Sequence, residues 1–516
     1  MCMAKVTPAD IERIKREKDG LAVLEDIPKW IEAGVSSISP EDLVRLKWLG
    51  LFYRESTPGL FMLRLRIPGG RLSPPQWQRI ADLSRRYGRG HMDLTTRQSI
   101  QLRYIALEDV PAIFSALTDV GLSSWQTGMD SGRNILTCAL AGQLADEVID
   151  TQPVVRELSR LFEYHPRYSN LPRKVNIAIT GCPANCVHAE ANDIGFIPAT
   201  SHGVTGFNVL VGGALAHQYR GIGIALNVFV PPEDVVPLTT VLLDIYRDEG
   251  LRTNRSKARL RTLVLEKGAE NLRAEIEQRL RHPLEPAGVD LRALDHHDHL
   301  GVIPSTESHA VHMGLHVPYG SITADDFEAL GDLALRGGSG DLNLLPSQDL
   351  VLLNITNVSA ISHHPLLTKY SPDPPLLERN AVACTGKPHC PLAITHTKEP
   401  LSQILSTLSS SIPLRQSVTI SFSGCTNACT QQGLADIALT GVKVKVGEQW
   451  EEGADILIGG QSGPKARIAE RLYRQIPFSQ LTRTLEDVIL THFADRLMHE
   501  NPDGHTGAVV SQEASS

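Results

Sequence analysis

Four cysteines in the C-terminal half have the type and spacing to hold a metal centre. Cys384 and Cys390 stand in AVACTGKPHCPLAITHTK, and Cys425 and Cys429 in SFSGCTNACTQQGLADIALTG. The pattern is C-x5-C, an interval of about 35 residues, then C-x3-C. Gly, Pro, Thr and Asn beside each pair let the backbone wrap closely around a ligand. Four thiolates are what a cubane iron–sulfur cluster requires. Zinc also accepts four, but its structural sites usually pair cysteines about two to four residues apart, and the first pair here is wider. Spacing alone ranks an iron–sulfur cluster first and leaves zinc, or unrelated buried thiols, open.

The second set of chemistry-bearing groups is cationic and lies in the other half: Arg64, Arg66, Arg97, Arg103, Arg133, Arg173 and Lys174. One arginine on a strand is ordinarily a solvated edge residue. Several in corresponding segments of one half, with few in the other, point to a polyanionic ligand held there.

The elements that must position these groups come as a tandem repeat. RIPGG at 66–70 matches HVPYG at 316–320, and LTTRQSIQLRYI at 94–105 matches LLPSQDLVLLNI at 344–355, both at an offset of 250. RNILTC at 133–138 matches RNAVAC at 379–384, KVNIAITGCPANC matches SVTISFSGCTNAC, and GFNVLVGG matches GADILIGG, with only small drifts in offset. Each copy reads as a small β-α-β-α unit, with one strand in FMLRLRIP and a second across MDLTTRQSIQLRYI, followed by a larger α/β unit. The expected fold is α+β, a tandem pseudo-twofold duplication. The expected boundaries are a helical arm at 1–48, small units at 49–122 and 299–370, larger units at 123–298 and 371–500, and a disordered tail at 501–516. Residues 283–298 read as the linker. The copies diverge at the cysteines. The first has Cys138, Cys182 and Cys186, with Leu144 where the second has Cys390. They read as a vestigial, reduced and partly buried set rather than a second cluster.

Whole-chain properties bound the rest. A chain of 516 residues, 42% hydrophobic and 21% charged, is that of a globular protein, and the net charge of −8 argues against nonspecific nucleic-acid binding. No apolar run approaches a membrane span, and the polar start MCMAKVTPADIERIKREKDG is unlike a secretory signal. A cytoplasmic protein with reduced thiols is expected.

The cysteine sets, FMLRLRIPGG, DLTTRQ, LPRK and VHAEANDIGF together resemble the siroheme-containing nitrite and sulfite reductase family, over residues 17 to about 470. The segments EKDGLAV and RLKWLGLFYR look like its ferredoxin-dependent, assimilatory nitrite-reducing members. The resemblance implies two ferredoxin-like half-domains, two siroheme/cluster domains, and a siroheme whose iron is bridged to a [4Fe–4S] cluster. It makes Cys384, Cys390, Cys425 and Cys429 the cluster ligands, with Cys429 as the bridge. It puts Arg64, Arg133, Lys174 and Asn176 at the anion, and Arg66, Arg97, Gln98, Arg103, Arg173 and Asn427 at the siroheme. It implies six-electron reduction of nitrite to ammonium by a monomer, with reduced ferredoxin or flavodoxin as donor. Asn176, where a sulfite reductase of this family is expected to carry a second lysine, favours nitrite over sulfite. Other readings are an assimilatory sulfite reductase, a precorrin-modifying enzyme of cobalamin synthesis, and a non-enzymatic zinc-stabilised scaffold. The run Arg252, Arg255, Lys257, Arg259 and Arg261 is a candidate landing patch for an acidic donor, with a solvated helix face as the blander reading.

Overall fold

A continuous apolar run forms the strand Leu60–Arg64, where alternation is expected from the sequence, and Phe61, Met62 and Leu63 are all buried. The computed structural model describes residues 6–163, 165–216, 220–294 and 298–498; the tail expected at 501–516 lies outside them. Where one strand is expected across 92–105 there are two, His91–Thr95 and Ser99–Ala106, paired antiparallel about a tight turn. Thr95 builds the turn: its hydroxyl accepts from the amides of Arg97 and Ser99, and Gln98 sits at φ 47°. A reversal made by side-chain-to-backbone bonds, without Gly or Pro, leaves little trace in a run of β-formers. The second copy has the same hairpin, Leu342–Leu344 and Leu350–Ile355 with Gln348 at φ 74°, but its turn contains Pro346 and is closed by backbone bonds between Leu345 and Asp349 and between Gln348 and Leu345.

Neither small sheet is completed by its own copy. The first runs Leu51–Tyr53, Leu60–Arg64, Ser99–Ala106, His91–Thr95 and then Ser321–Thr323, borrowed from the second half. The second runs Gly301–Pro304, Val311–Leu315, Leu350–Ile355, Leu342–Leu344 and then Arg71–Leu72, borrowed from the first. Each borrowed strand pairs with an edge that would otherwise be open. One apolar core spans both sheets and the helices Pro74–Tyr87 and Ala324–Gly337.

Two glutamines at the hairpin turns lock this exchange. Gln98 donates to the carbonyls of Thr137 and Leu344 and accepts from the Thr137 amide. Gln348 donates to the carbonyl of Leu94 and accepts from the Ala383 amide. The facing turns are Gly70 (φ 73°) and Gly320 (φ 67°), where a Cβ would stand 2.8 Å from Leu344 O and 2.5 Å from Leu94 O, respectively. Only glycine fits there, which explains PGG and PYG in the repeat.

The larger units each carry parallel strands that continue into antiparallel ones. In the first, Gly132–Leu136, Val175–Ile179 and Ile194–Ser201 are parallel, and Val204–Val211 and Ile224–Val230 follow antiparallel. In the second, Val382–Ala383, Ile420–Ser423 and Ile437–Val446 are parallel, followed by Gln449–Ile458 and Glu470–Pro477. The expected linker is partly structural, since Glu285–Pro286 and Val289–Asp290 join the first large sheet. The α+β duplication read from the sequence is present.

The N-terminal helix Asp10–Glu17 is fastened by charge as well as packing. Lys15 reaches Asp130 and the carbonyl of Leu171, and Trp48 Nε1 donates to Ser169 O. Asp130 is fully buried and also takes a bidentate pair from Arg255 at 2.6 and 2.8 Å. Burial alone would raise its pKa; the Arg255 hydrogen bonds and the charges of Arg255, Lys15 and Arg173 outweigh that and hold the carboxyl below its usual range. Its stabilising contribution is therefore complete above about pH 4 and is lost as pH falls through the lowered folded value. Asp130→Ala should cost about 3–5 kcal/mol in urea unfolding at pH 7, because buried cations lose their counter-charge. The gap from the parent should narrow in acid; an unchanged gap would refute this account.

Candidate active site

The cysteines of the second copy follow the carboxyl ends of parallel strands, Cys384 after Val382–Ala383 and Cys425 after Ile420–Ser423. That is where open α/β sheets bind ligands. The turns after them face a cavity of about 360 Å³ lined by Cys384, Cys390, Cys425 and Cys429 on one side. Arg64, Arg97, Arg133, Arg173, Lys174 and Asn176 of the first copy line the other. Thr96 Oγ1, in the first hairpin turn, donates to Cys429 O at 2.7 Å and fixes the last cysteine against the cationic half.

The fastening of the first half explains how the cations are aimed. Asn134 donates to the carbonyls of Ile67, Arg97 and Gln98 and accepts from the Ile67 amide, which sets its neighbour Arg133 and the Arg97 turn at the cavity. Lys174 and Asn176 lie two apart on entry to the strand Val175–Ile179, so both face the same side. The Asn176 amide is held by Asp193. Arg64 donates to Thr127 O at 3.1 Å and lies over the Phe52 ring, 4.8 Å from its centroid.

The electrostatics of the cavity call for an anion. Among the described residues, no carboxylate pairs with Arg64, Arg97, Arg133 or Lys174, and Arg133 Nη1 is buried with no hydrogen-bond partner. Burial first, then Arg259 and Arg133, push the Lys174 ammonium well below its ordinary value; burial and then Arg64 do the same to Arg133. Charges so placed are costly until an anion answers them.

On the other side, Gly424 N donates to Cys384 Sγ at 3.2 Å, and Asn427 Nδ2 to Cys425 Sγ at 3.3 Å. Such bonds stabilise thiolates in iron–sulfur sites. No three of these four thiols converge on one ion. The only three His, Cys, Asp or Glu ligand atoms within 4.8 Å of one another among the described residues belong to a different group. The donor set therefore fits a multi-iron cluster better than zinc, and the unpaired cations fit a polycarboxylate macrocycle such as siroheme.

Three residues expected at the siroheme, Arg66, Gln98 and Arg103, do not themselves line the cavity. Arg66 is buried and spends its guanidinium on the carbonyls of Trp125, Gln126, Gly132 and Arg133. It holds the 125–133 segment instead of lining the cavity, because the chain beyond Arg64 bends to bridge Ser123. Gln98 is the interdomain clamp described above. Arg103 is neutralised by Asp93, which Lys398 also pairs, and touches Thr385 Oγ1 at 3.3 Å. Cations of the candidate landing patch are engaged within the chain: Arg252 binds Glu12 and Asn170, Arg255 binds Asp130, and Arg261 binds the carbonyls of Gly212 and Ile222. Arg259 pairs with Asp193 and lines the cavity. Arg54 and Lys398 line it too and were missed, since nothing in their local sequence separates them from solvated cations.

Comparison with known proteins agrees with the geometry. The nitrite and sulphite reductase 4Fe-4S domain profile matches residues 128–284 and 378–500, and the nitrite/sulfite reductase ferredoxin-like half-domain profile matches 53–120 and 304–360. The chain belongs to the nitrite and sulphite reductase family, whose cofactors are siroheme and a [4Fe–4S] cluster. Within it, the chain is 39% identical to the ferredoxin–nitrite reductase of Leptolyngbya laminosa, over 96% of this chain and 100% of that one. It is 34% identical to the chloroplastic ferredoxin–nitrite reductase of Spinacia oleracea, over 95% of this chain and 86% of that one. The solved structure of Mycobacterium tuberculosis NirA superposes with a TM-score of 0.88 at 27% identity, covering 96% of this chain and 95% of that one.

The reassignment of Gln98 separates from a cofactor role by experiment. Gln98→Leu should cost about 2–3 kcal/mol by orphaning buried backbone groups, while folded protein keeps the parent's siroheme absorbance per chain. Arg97→Met should do the reverse, with near-parental unfolding and a large loss of siroheme. Siroheme loss from folded Gln98→Leu would restore the sequence-based assignment.

Proposed function

We propose that the chain is a ferredoxin-dependent assimilatory nitrite reductase, converting nitrite to ammonium by six-electron reduction. The observation that carries this reading is the cavity that sets unpaired buried cations opposite four cluster-type thiols. The names of the relatives at 39% and 34% identity support it. Reduced ferredoxin or flavodoxin supplies the electrons, nitrite is the small-molecule substrate, and the protein works as a monomer in the cytoplasm. Seven free cysteines among the described residues fit a reducing compartment.

Cys384, Cys390, Cys425 and Cys429 would hold the cluster, and Cys429, facing the cations across the cavity, would connect it to the siroheme iron. Arg97 and Arg173 would answer siroheme carboxylates, joined by Arg54. When bound, the pair supplies one-electron transfer and a Lewis-acidic iron. The remaining work falls to side chains. Arg64, Arg133 and Lys174 neutralise the anion; the unpartnered Nη1 of Arg133 offers it a donor that costs no reorganisation. Lys174, made more acidic by burial and by Arg259 and Arg133, donates protons to the departing oxygens, which leave as water. Asn176 adds a neutral polar group beside Lys174. One fewer charge there suits singly charged nitrite better than sulfite.

Steady-state rates with reduced ferredoxin, counting ammonium from nitrite and sulfide from sulfite, test this directly. A strong kcat/KM preference for nitrite is expected, and Asn176→Lys should shift the ratio toward sulfite by about tenfold, the worth of one extra charge–anion contact. A parental preference for sulfite would make the protein a sulfite reductase. Lys174→Met should raise the nitrite KM and cut turnover by about 100-fold with the siroheme spectrum intact; loss of the spectrum would make Lys174 a cofactor ligand instead.

A further inference from the structure

The first copy's cysteines have a partner that the repeat does not foretell. Cys138 follows the strand Gly132–Leu136, Cys182 follows Val175–Ile179, and His299 stands just before the strand Gly301–Pro304 of the second small sheet. All three are buried, and their ligand atoms all lie within 4.8 Å of one another. Cys138 Sγ is 3.4 Å from His299 Nε2, and Cys182 contacts both of them. Cys186, four residues beyond Cys182, contacts Cys138 from a half-buried position but stands outside this group of three, so its thiol must swing inward to complete a four-ligand shell. The pocket is closed by Leu140, Leu300, Ile303, Leu345 and Leu353.

We propose that Cys138, Cys182, Cys186 and His299 form a structural zinc site. Zinc binds thiolates at about 2.3 Å and imidazole at about 2.0 Å, so a tetrahedral shell puts neighbouring ligand atoms roughly 3.5–4 Å apart. The Cys138–His299 separation of 3.4 Å is close to that spacing, and Cys182 lies within 4.8 Å of both. A cube distributes its thiolates over separate irons and needs a wider frame, as the diverged set in the second copy has. The C-x3-C spacing of Cys182 and Cys186 is within the zinc range. Leu144 removes the ligand that a cluster would take, and a histidine from the other half replaces it. None of the four residues lines the catalytic cavity, so the ion would be closed off from substrate. It joins the first large unit to the second small sheet, at the seam the Gln98 clamp also crosses.

The test is metal analysis of untagged holoprotein, with zinc K-edge absorption spectroscopy. About one zinc alongside about five irons per chain is expected, with a shell of three sulfurs and one nitrogen. Cys182→Ser and His299→Ala should each lose most of the zinc while keeping iron and siroheme absorbance. Below about 0.1 zinc per chain after growth with added zinc, the proposal fails. It also fails if zinc persists in the Cys138→Ser/Cys182→Ser double variant, or if iron approaches about eight per chain, the sign of a second iron cluster. Should the variants not fold, the parent's zinc content and its sulfur–nitrogen shell decide the matter alone.

Discussion

The reciprocal exchange of strands between the halves, pinned by Gln98 and Gln348, is the constraint on which the site depends. Each glutamine satisfies backbone groups of a larger unit and of the small sheet in the other half at once. Buried amides and carbonyls must find partners, and here they find them only when both halves are in register. The catalytic cavity is assembled across the same junction, with cations from one copy and thiols from the other. Its geometry is therefore a property of the whole duplication.

A second division concerns charge. Several buried carboxylates each answer particular cations: Asp130 takes Arg255 and Lys15, Asp193 takes Arg259, and Asp93 takes Arg103 and Lys398. Those pairs hold the scaffold. The cations left without carboxylates gather at the cavity, where burial makes their charge expensive. The protein thus keeps a deficit of negative charge where an anionic cofactor and an anionic substrate belong, and the cofactor contributes to stability by filling it.

Much of this was legible in the sequence because duplication repeats its signals. Two anchors at one offset exposed the architecture, and divergence between copies separated the thiols from the cations. What the repeat could not reveal was the direction of individual side chains. Arg64 and Arg66 stand on one nominal strand face, yet the chain leaves the strand after Arg64 and turns Arg66 onto carbonyls. Arg255 and Arg259 looked like a surface run because their partners, Asp130 and Asp193, lie far away in sequence. His299 gave no sign at all, since a lone histidine beside a linker has no periodicity to betray it.

The exchanged strand also has a consequence for biosynthesis. The edge His91–Thr95 receives its partner only when Ser321–Thr323 has been made. Roughly 230 residues of translation separate the two, or about 10–45 s at ordinary elongation rates. Through that interval a nascent chain presents an unpaired strand edge, the kind of edge that recruits other chains. The later half thus serves the earlier one as a delayed chaperone carried in the same polypeptide, and interrupted synthesis leaves a fragment whose first sheet has no way to close.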